Sequence, residues 1–178
     1  MPEFDLKEHI RTVPDFPKPG IMYRDITTLL SNAEALKQAV AALSEPFRKS
    51  EIDAVAGIDA RGFIFGAAVA VELGTGFVPI RKKGKLPFKT YEQDYQLEYG
   101  TDTLQIHADA VGPGHRVLLI DDLIATGGTA AAAIKLLNRT RCDVFSAAFV
   151  IDLPDLGGAK SIVASGVPVL SLVEFSGH

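Results

Sequence analysis

Disulfides are out of reach for this chain, which has one cysteine, Cys142, in 178 residues. Its four histidines are scattered without metal-ligand spacing, so neither chemical staple is expected. Tryptophan is absent and methionine occurs twice. No apolar run approaches the roughly 20 residues of a membrane span. Glu3, Asp5, Lys7, Glu8 and Arg11 put charge where a secretory segment would be apolar, so none is expected. Neither sign of charge dominates. Lys and Arg number 18 against 22 Asp and Glu, and a net charge of −4 argues against bulk binding to nucleic acid. No repeat, low-complexity tract or Gly/Ser linker divides the chain. What remains is 47% hydrophobic, too apolar for disorder and long enough to bury a core unaided. The expectation is one cytoplasmic α/β domain over residues 1–178, with no contact to membrane or nucleic acid.

Residues 1–32 read as an irregular arm, because Pro14, Pro17, Pro19 and Gly20 interrupt regular structure. Ser31 and Glu34 have capping-box spacing. Leu36, Val40, Leu43 and Phe47 then recur on one helical face, and Pro46 should kink the helix or restart its last turn. Four apolar runs read as buried parallel strands: Ala54–Ile58, Phe77–Ile80, Val117–Ile120 and Val144–Ile151. A fifth is Val169–Val173. Helical stretches lie between them: Gly62–Leu73 ending at Gly74, Thr129–Asn138, and a short one near Gly158–Ser165. This alternation predicts a parallel sheet of about five strands flanked by helices. Residues 81–107 break the pattern, being polar, charged and rich in tyrosine. An insertion of that length is usually functional, and its ends are expected to pair as a hairpin arm.

The informative segment runs from Val117 to Thr129. An apolar strand meets two acids, Asp121 and Asp122, and a short loop then opens an Ala-rich helix. Ligands of open α/β sheets bind beyond the carboxyl ends of strands, where this segment lies. Gly127 and Gly128 permit a tight turn that points successive N–H groups inward, and a helix N-terminus adds to that anion site. Thr126 and Thr129 add hydroxyl donors. The geometry suits one terminal phosphate. The two carboxylates must face something else, and a vicinal diol is the natural partner. Phosphate and diol together describe ribose 5-phosphate. An ordinary helix N-cap explains one acid and one threonine, but not both acids with Thr126-Gly127-Gly128-Thr129. No Lys follows the glycines, so this is not a Walker loop. A second strand-to-helix turn, Asp59-Ala60-Arg61-Gly62, should face the same crevice. Arg81, Lys82, Lys83, Lys85 and Lys89 form a basic run suited to a pyrophosphate leaving group.

Asp121–Thr129 resembles the phosphoribosyl pyrophosphate motif of the type I phosphoribosyltransferases, in the spelling of their adenine-specific members. Five further blocks follow the family's order: Phe16–Asp25, Ala60–Gly66, Arg81–Pro87, Leu97–Gly100 and Ser171–Val173. The resemblance runs nearly end to end.

It implies the type I phosphoribosyltransferase fold, with a small hood at residues 1–32 and a flexible flap within the insertion at 81–107. It implies purine salvage: transfer of the 5-phosphoribosyl group from phosphoribosyl pyrophosphate to adenine, giving AMP and pyrophosphate through an oxocarbenium-like transition state. By resemblance, Asp121, Asp122, Ala125, Thr126, Gly127, Gly128 and Thr129 hold ribose 5-phosphate. Ala60, Arg61, Arg81, Lys82 and Lys85 hold pyrophosphate, with Arg81 reaching across a homodimer. Ile21, Met22, Tyr23, Arg24, Arg61 and Phe63 form the adenine site, and Glu98 moves a proton at the base. Mg²⁺ is the implied cofactor, carried mainly by substrate and water with no direct protein ligand. A non-proline cis bond is implied at Asp59–Ala60. Cys142 reads as a bystander, Tyr99 as packing and His107 as a brace for the hairpin. Two other readings stay open: the same site turned to hypoxanthine, guanine or xanthine, and a non-catalytic regulator that binds phosphoribosyl pyrophosphate.

Overall fold

The computed structural model describes residues 4–97 and 99–177. The segment expected to be irregular instead folds as a small sheet. A 3-10 turn at Leu6–His9 leads into β1 (Arg11–Pro14), which pairs antiparallel with β2 (Met22–Asp25). The prolines do not prevent this. Pro14 ends β1, and Pro17 and Pro19 fall in the connecting loop, so none removes an interior ladder bond. Arg11 bridges Asp25 at 2.6 Å across the pair.

A short helix, α1 (Thr27–Leu30), precedes α2 (Ala33–Ser44). The cap of α2 is Asn32, not Ser31. Ser31 keeps helical angles at the end of α1, while Asn32 is extended and its side chain accepts from the Ala35 N–H at 2.9 Å. Glu34 accepts instead from the Gln38 amide at 2.7 Å. Beyond Ser44 the chain tightens to a 3-10 turn over Glu45–Phe47, where Pro46 sits.

The main sheet contains β3 (Ala54–Ile58), β4 (Gly76–Lys82), β5 (Thr90–Gln96), β6 (Thr101–His107), β7 (Arg116–Ile124), β8 (Asp143–Asp152) and β9 (Val169–Glu174). Its order is β5-β6-β4-β3-β7-β8-β9. The five expected strands are parallel. The expected hairpin arm adds two antiparallel strands, so the sheet is mixed and seven-stranded. Helix α3 (Arg61–Leu73) joins β3 to β4 and ends at Gly74, whose φ of 69° suits a glycine C-cap. Helix α4 (Gly128–Arg139) joins β7 to β8, and α5 (Gly158–Ala164) joins β8 to β9. Alternation along the strands splits the core between the two faces: Val117 and Leu119 pack with α4, Leu118 and Ile120 with α2 and α3.

One boundary matters for the site. β7 does not stop at Ile120. Pairing with β8 continues from Asp121↔Phe149 to Ile124↔Asp152, which places both acids inside the strand. From β3 the chain moves to β4 on one side and later returns to β7 on the other. The order therefore reverses between β3 and β7, where open α/β sheets leave a crevice.

Candidate active site

The crevice is occupied by a cavity of about 560 Å³. Its wall runs from Ile58, Asp59, Ala60 and Arg61 at the end of β3, through Lys82, Lys85 and Tyr95, to Asp121 and Leu123–Ala130. Three separately predicted segments thus converge on one space.

The loop 125–127 turns from β7 into α4. Gly127 has φ 88°, a left-handed conformation that glycine adopts without steric cost. The first residues of α4 are Gly128 and Thr129, so the free N–H groups of the helix start open into the cavity. The loop is backed by Gly158. Its N–H donates to Ala125 O at 3.1 Å, and a Cβ built on it would meet Gly127 N at 2.7 Å and Thr126 C at 2.8 Å. Gly158 was not among the expected site residues. Its only sequence signal is the Gly157-Gly158 doublet that begins α5.

Asp121 and Asp122 are neighbours in β7, and their carboxyl groups come close enough to interact directly. Asp121 lines the cavity, its carboxylate lying where any side chain at residue 62 would stand; a Cβ on Gly62 would come 2.8 Å from Oδ1. Asp122 turns under α3, where Arg61 Nε reaches its Oδ2 at 2.5 Å. The Asp122 N–H donates to Asp121 Oδ1 at 2.8 Å. Burial, and then the Asp122 charge beside it, pushes the Asp121 carboxyl well above the usual range. Burial works against the charge on Arg61, but Asp122 more than offsets it and the guanidinium pKa is raised.

The basic run meets acids at the cavity mouth. Arg81 Nε and Lys85 Nζ lie 3.3 and 3.7 Å from Asp59 Oδ2, and Lys82 Nζ lies 3.4 Å from Asp102 Oδ2. Lys82 and Lys85 line the cavity; Arg81 stands behind them, its guanidinium 5.8 Å from the Phe63 ring centroid. Tyr95, also unforeseen, projects from β5. Its hydroxyl lies 3.3 Å from Asp102 Oδ2, and burial followed by the Asp102 charge raises its pKa to about 12. The Asp59–Ala60 peptide is cis, as is Phe16–Pro17.

The hood residues lie outside the lining. Tyr23 comes nearest, its hydroxyl accepting from Arg61 Nη1 at 3.3 Å. Met22 is exposed, and Phe63 packs edge-on against Phe77. Arg24 turns the other way: Nη1 donates to Thr12 Oγ1 at 2.6 Å and its guanidinium stacks on Phe175 at 4.3 Å. Ile21, beside Met22, is half-buried. Glu98 lies outside the described residues; after it, the Tyr99 ring carries the Lys18 ammonium at 3.6 Å. His107 Nε2 accepts from the Phe88 N–H at 3.4 Å at the hairpin, and Cys142 is half-buried with its thiol directed at Leu137 O.

Among the described residues, Asp59 and Asp121 are the carboxylates that line the cavity. Among the described residues no three His, Cys, Asp or Glu side chains come together as a metal cage. One or two carboxylates beside phosphate sites suit Mg²⁺, whose remaining ligands are typically phosphate oxygens and water.

The family model for the phosphoribosyl transferase domain matches residues 27–173. An adenine phosphoribosyltransferase of Bradyrhizobium sp. (strain ORS 278) is 60% identical over 176 residues, covering 99% of this chain and 98% of that protein. The crystal structure of adenine phosphoribosyltransferase from Rhodothermus marinus DSM 4252 superposes with a TM-score of 0.89 at 54% identity, covering 96% of each chain. The Saccharomyces cerevisiae enzyme, complexed with D-2,5-dideoxy-2,5-imino-altritol 1,6-bisphosphate and adenine, gives 0.88 at 37% identity, covering 94% of this chain and 96% of that one. A cavity that pairs a glycine-rich turn at a helix start with a carboxylate and a basic mouth sits here on a chain alike over nearly its whole length to those proteins, and the chain belongs to the phosphoribosyltransferase family, within its adenine phosphoribosyltransferase branch.

Proposed function

We propose that this cavity transfers the 5-phosphoribosyl group from phosphoribosyl pyrophosphate to adenine, giving AMP and pyrophosphate. The observation that carries the assignment is the convergence on one crevice of the loop 125–129, the Asp121 carboxylate and the Lys82–Lys85 mouth. These three match the 5′-phosphate, the ribose hydroxyls and the pyrophosphate of a single substrate.

In this reading the helix start and Thr126 and Thr129 fix the 5′-phosphate. Asp121 accepts from the ribose diol, and Asp122 holds Arg61 beside it. Ala60 and Arg61 at the cis turn, with Lys82 and Lys85, receive the pyrophosphate, and Arg81 reaches that of a second subunit. Positive charge there stabilises the leaving group as the anomeric carbon gains oxocarbenium character. The hood supplies the base site: Ile21, Met22 and Phe63 clamp the purine, Tyr23 positions Arg61, and Arg24 braces the hood against the C-terminal segment. Glu98 exchanges a proton with the base, a role worth roughly 10²–10⁴-fold. When bound, Mg²⁺ would neutralise pyrophosphate charge, and Asp59 and Asp121 would hold it mainly through water.

The enzyme is a homodimer in this reading. The outward face of α3 supports it, since Ile64 and Val71 are 44% and 80% exposed one heptad apart on the helix that begins at Arg61. A second copy covering that stripe would bring Arg81 towards a partner's site. The location is cytoplasmic, where charged phosphoribosyl pyrophosphate and AMP are retained; among the described residues no helix is long and apolar enough to cross a membrane.

The test is a base panel with pyrophosphate release as the readout, with and without Mg²⁺. Turnover with adenine that needs Mg²⁺ is expected. Turnover with hypoxanthine or guanine and none with adenine would overturn the base assignment, and no release with any base would leave a binding protein. A Glu98→Gln variant should lose about 10²-fold or more in kcat while keeping its affinity for phosphoribosyl pyrophosphate.

A further inference from the structure

Behind α5 lies a second cavity, of about 440 Å³, that shares no residue with the active crevice. Its floor is the end of β8 and the length of β9, with Asp152, Val169, Ser171 and Glu174; its wall is α5, with Lys160 and Val163 among small apolar residues.

Among the described residues, two buried polar atoms here have no hydrogen-bond partner. Asp152 is 5% exposed and its Oδ1 is unpaired, and the Ser171 hydroxyl is buried without a partner as well. Native interiors rarely leave such groups unmatched, and a carboxylate is the costliest to leave so. The strand register sets Asp152 directly opposite Glu174, so both carboxylates serve one space. Burial, then Glu174, raises the Asp152 carboxyl above its usual range, and Lys160 works the other way.

Two acids and a hydroxyl match the three hydrogens of an ammonium group. Lys160, exposed on the facing helix, matches an anion. Ala159, Val163, Ala164 and Val169 suit a short apolar stretch between those ends. A divalent cation would use the acids but be repelled by Lys160 and leave the apolar wall idle. An alkylamine would fill the apolar wall but leave Lys160 without an anionic partner.

We propose that this cavity binds a small zwitterion of the amino-acid kind, its ammonium group held by Asp152, Glu174 and Ser171 and its anionic end by Lys160. The occupant rests against the helix whose first residue, Gly158, backs the phosphate loop.

Calorimetric titration of the full chain tests this. The probes are 4-aminobutanoate and 5-aminopentanoate, with butylamine, butyrate and MgCl₂ each supplying one feature alone. Saturable binding of a zwitterion is expected, about ten-fold tighter than butylamine or butyrate and undiminished by saturating AMP. Asp152→Asn and Lys160→Met should each weaken it about ten-fold. Lys160 is exposed, so its variant keeps the test valid if Asp152→Asn fails to fold. Binding of MgCl₂ alone, displacement by AMP, equal affinity for the single-feature probes, unchanged affinity in the variants, or no binding would each overturn the proposal. AMP binding by the same samples separates failure here from failure of the active-site reading.

Discussion

Arg61 Nε lies 2.5 Å from Asp122 Oδ2, fastening the first residue of α3 to the strand that carries the acid pair. The Asp122 side chain is 8% exposed and that of Arg61 is 54% exposed, so the pair is half screened. Removing Arg61 strands a buried carboxylate. Arg61→Met should therefore destabilise the chain by about 1–3 kcal/mol, below the full cost of breaking a wholly buried pair. Asp122→Asn should cost less, because the amide still accepts a hydrogen bond. The double variant should recover most of the Arg61→Met loss in thermal unfolding yet remain poor in kcat/KM for phosphoribosyl pyrophosphate. Recovery of activity along with stability would show that the pair serves only the fold.

Gly158 is a second point where backbone meets backbone. A methyl group there would press on Gly127 N and Thr126 C, atoms that cannot swing aside. Gly158→Ala should displace the loop 125–127 and raise KM for phosphoribosyl pyrophosphate by about ten-fold or more, with KM for adenine much less affected. The accompanying stability loss should be about 1–3 kcal/mol, as for other overpacked sites. Steady-state kinetics with each substrate varied in turn would check the split.

The difference between Gly127 and Gly158 shows what a sequence can reveal. Gly127 serves a turn made by its own neighbours, so the residues 121–129 spell out their geometry locally. Gly158 is required by a loop some 30 positions earlier, and nothing beside it in the chain says so. The same holds for β7. Its apolar run ends at Ile120, but hydrogen bonds to β8 carry the strand to Ile124, so both acids lie within it. The N-terminal hairpin was hidden for another reason. Its prolines sit at a strand end and in a loop, positions where proline is harmless, and a count of breakers does not distinguish them. The five parallel strands were legible because each is apolar on both faces.

Asp121 carries a stability cost that follows from its raised pKa. Burial and the Asp122 charge lift the folded-state value above the unfolded one. Below the ordinary carboxylate range the group is protonated in both states and costs nothing. As pH rises through about 4, the unfolded chain ionises first, and the folded state loses ground until its own pKa is passed. Asp121→Asn should therefore raise Tm at neutral pH and leave it nearly unchanged near pH 3, while abolishing most turnover. A Tm gain that persists undiminished into acid would contradict the burial of this charge.

Tyr95 links two sides of the cavity. Its hydroxyl reaches Asp102, which also holds Lys82, and it lines the same cavity as Thr129 at the start of α4. With its pKa near 12, the hydroxyl stays protonated and can donate throughout the working range. Tyr95→Phe removes that donor and keeps the ring. Lys82 and Asp102 are partly exposed, so each link is worth no more than about 1 kcal/mol. The expected result is a rise of about two- to five-fold in KM for phosphoribosyl pyrophosphate, with KM for adenine unchanged. Asp102→Asn should do much the same, and the two changes together should cost less than their sum, because each breaks the same link. Full additivity would mean that Tyr95 and Asp102 act separately and that the hairpin arm does not tie the two phosphate subsites together.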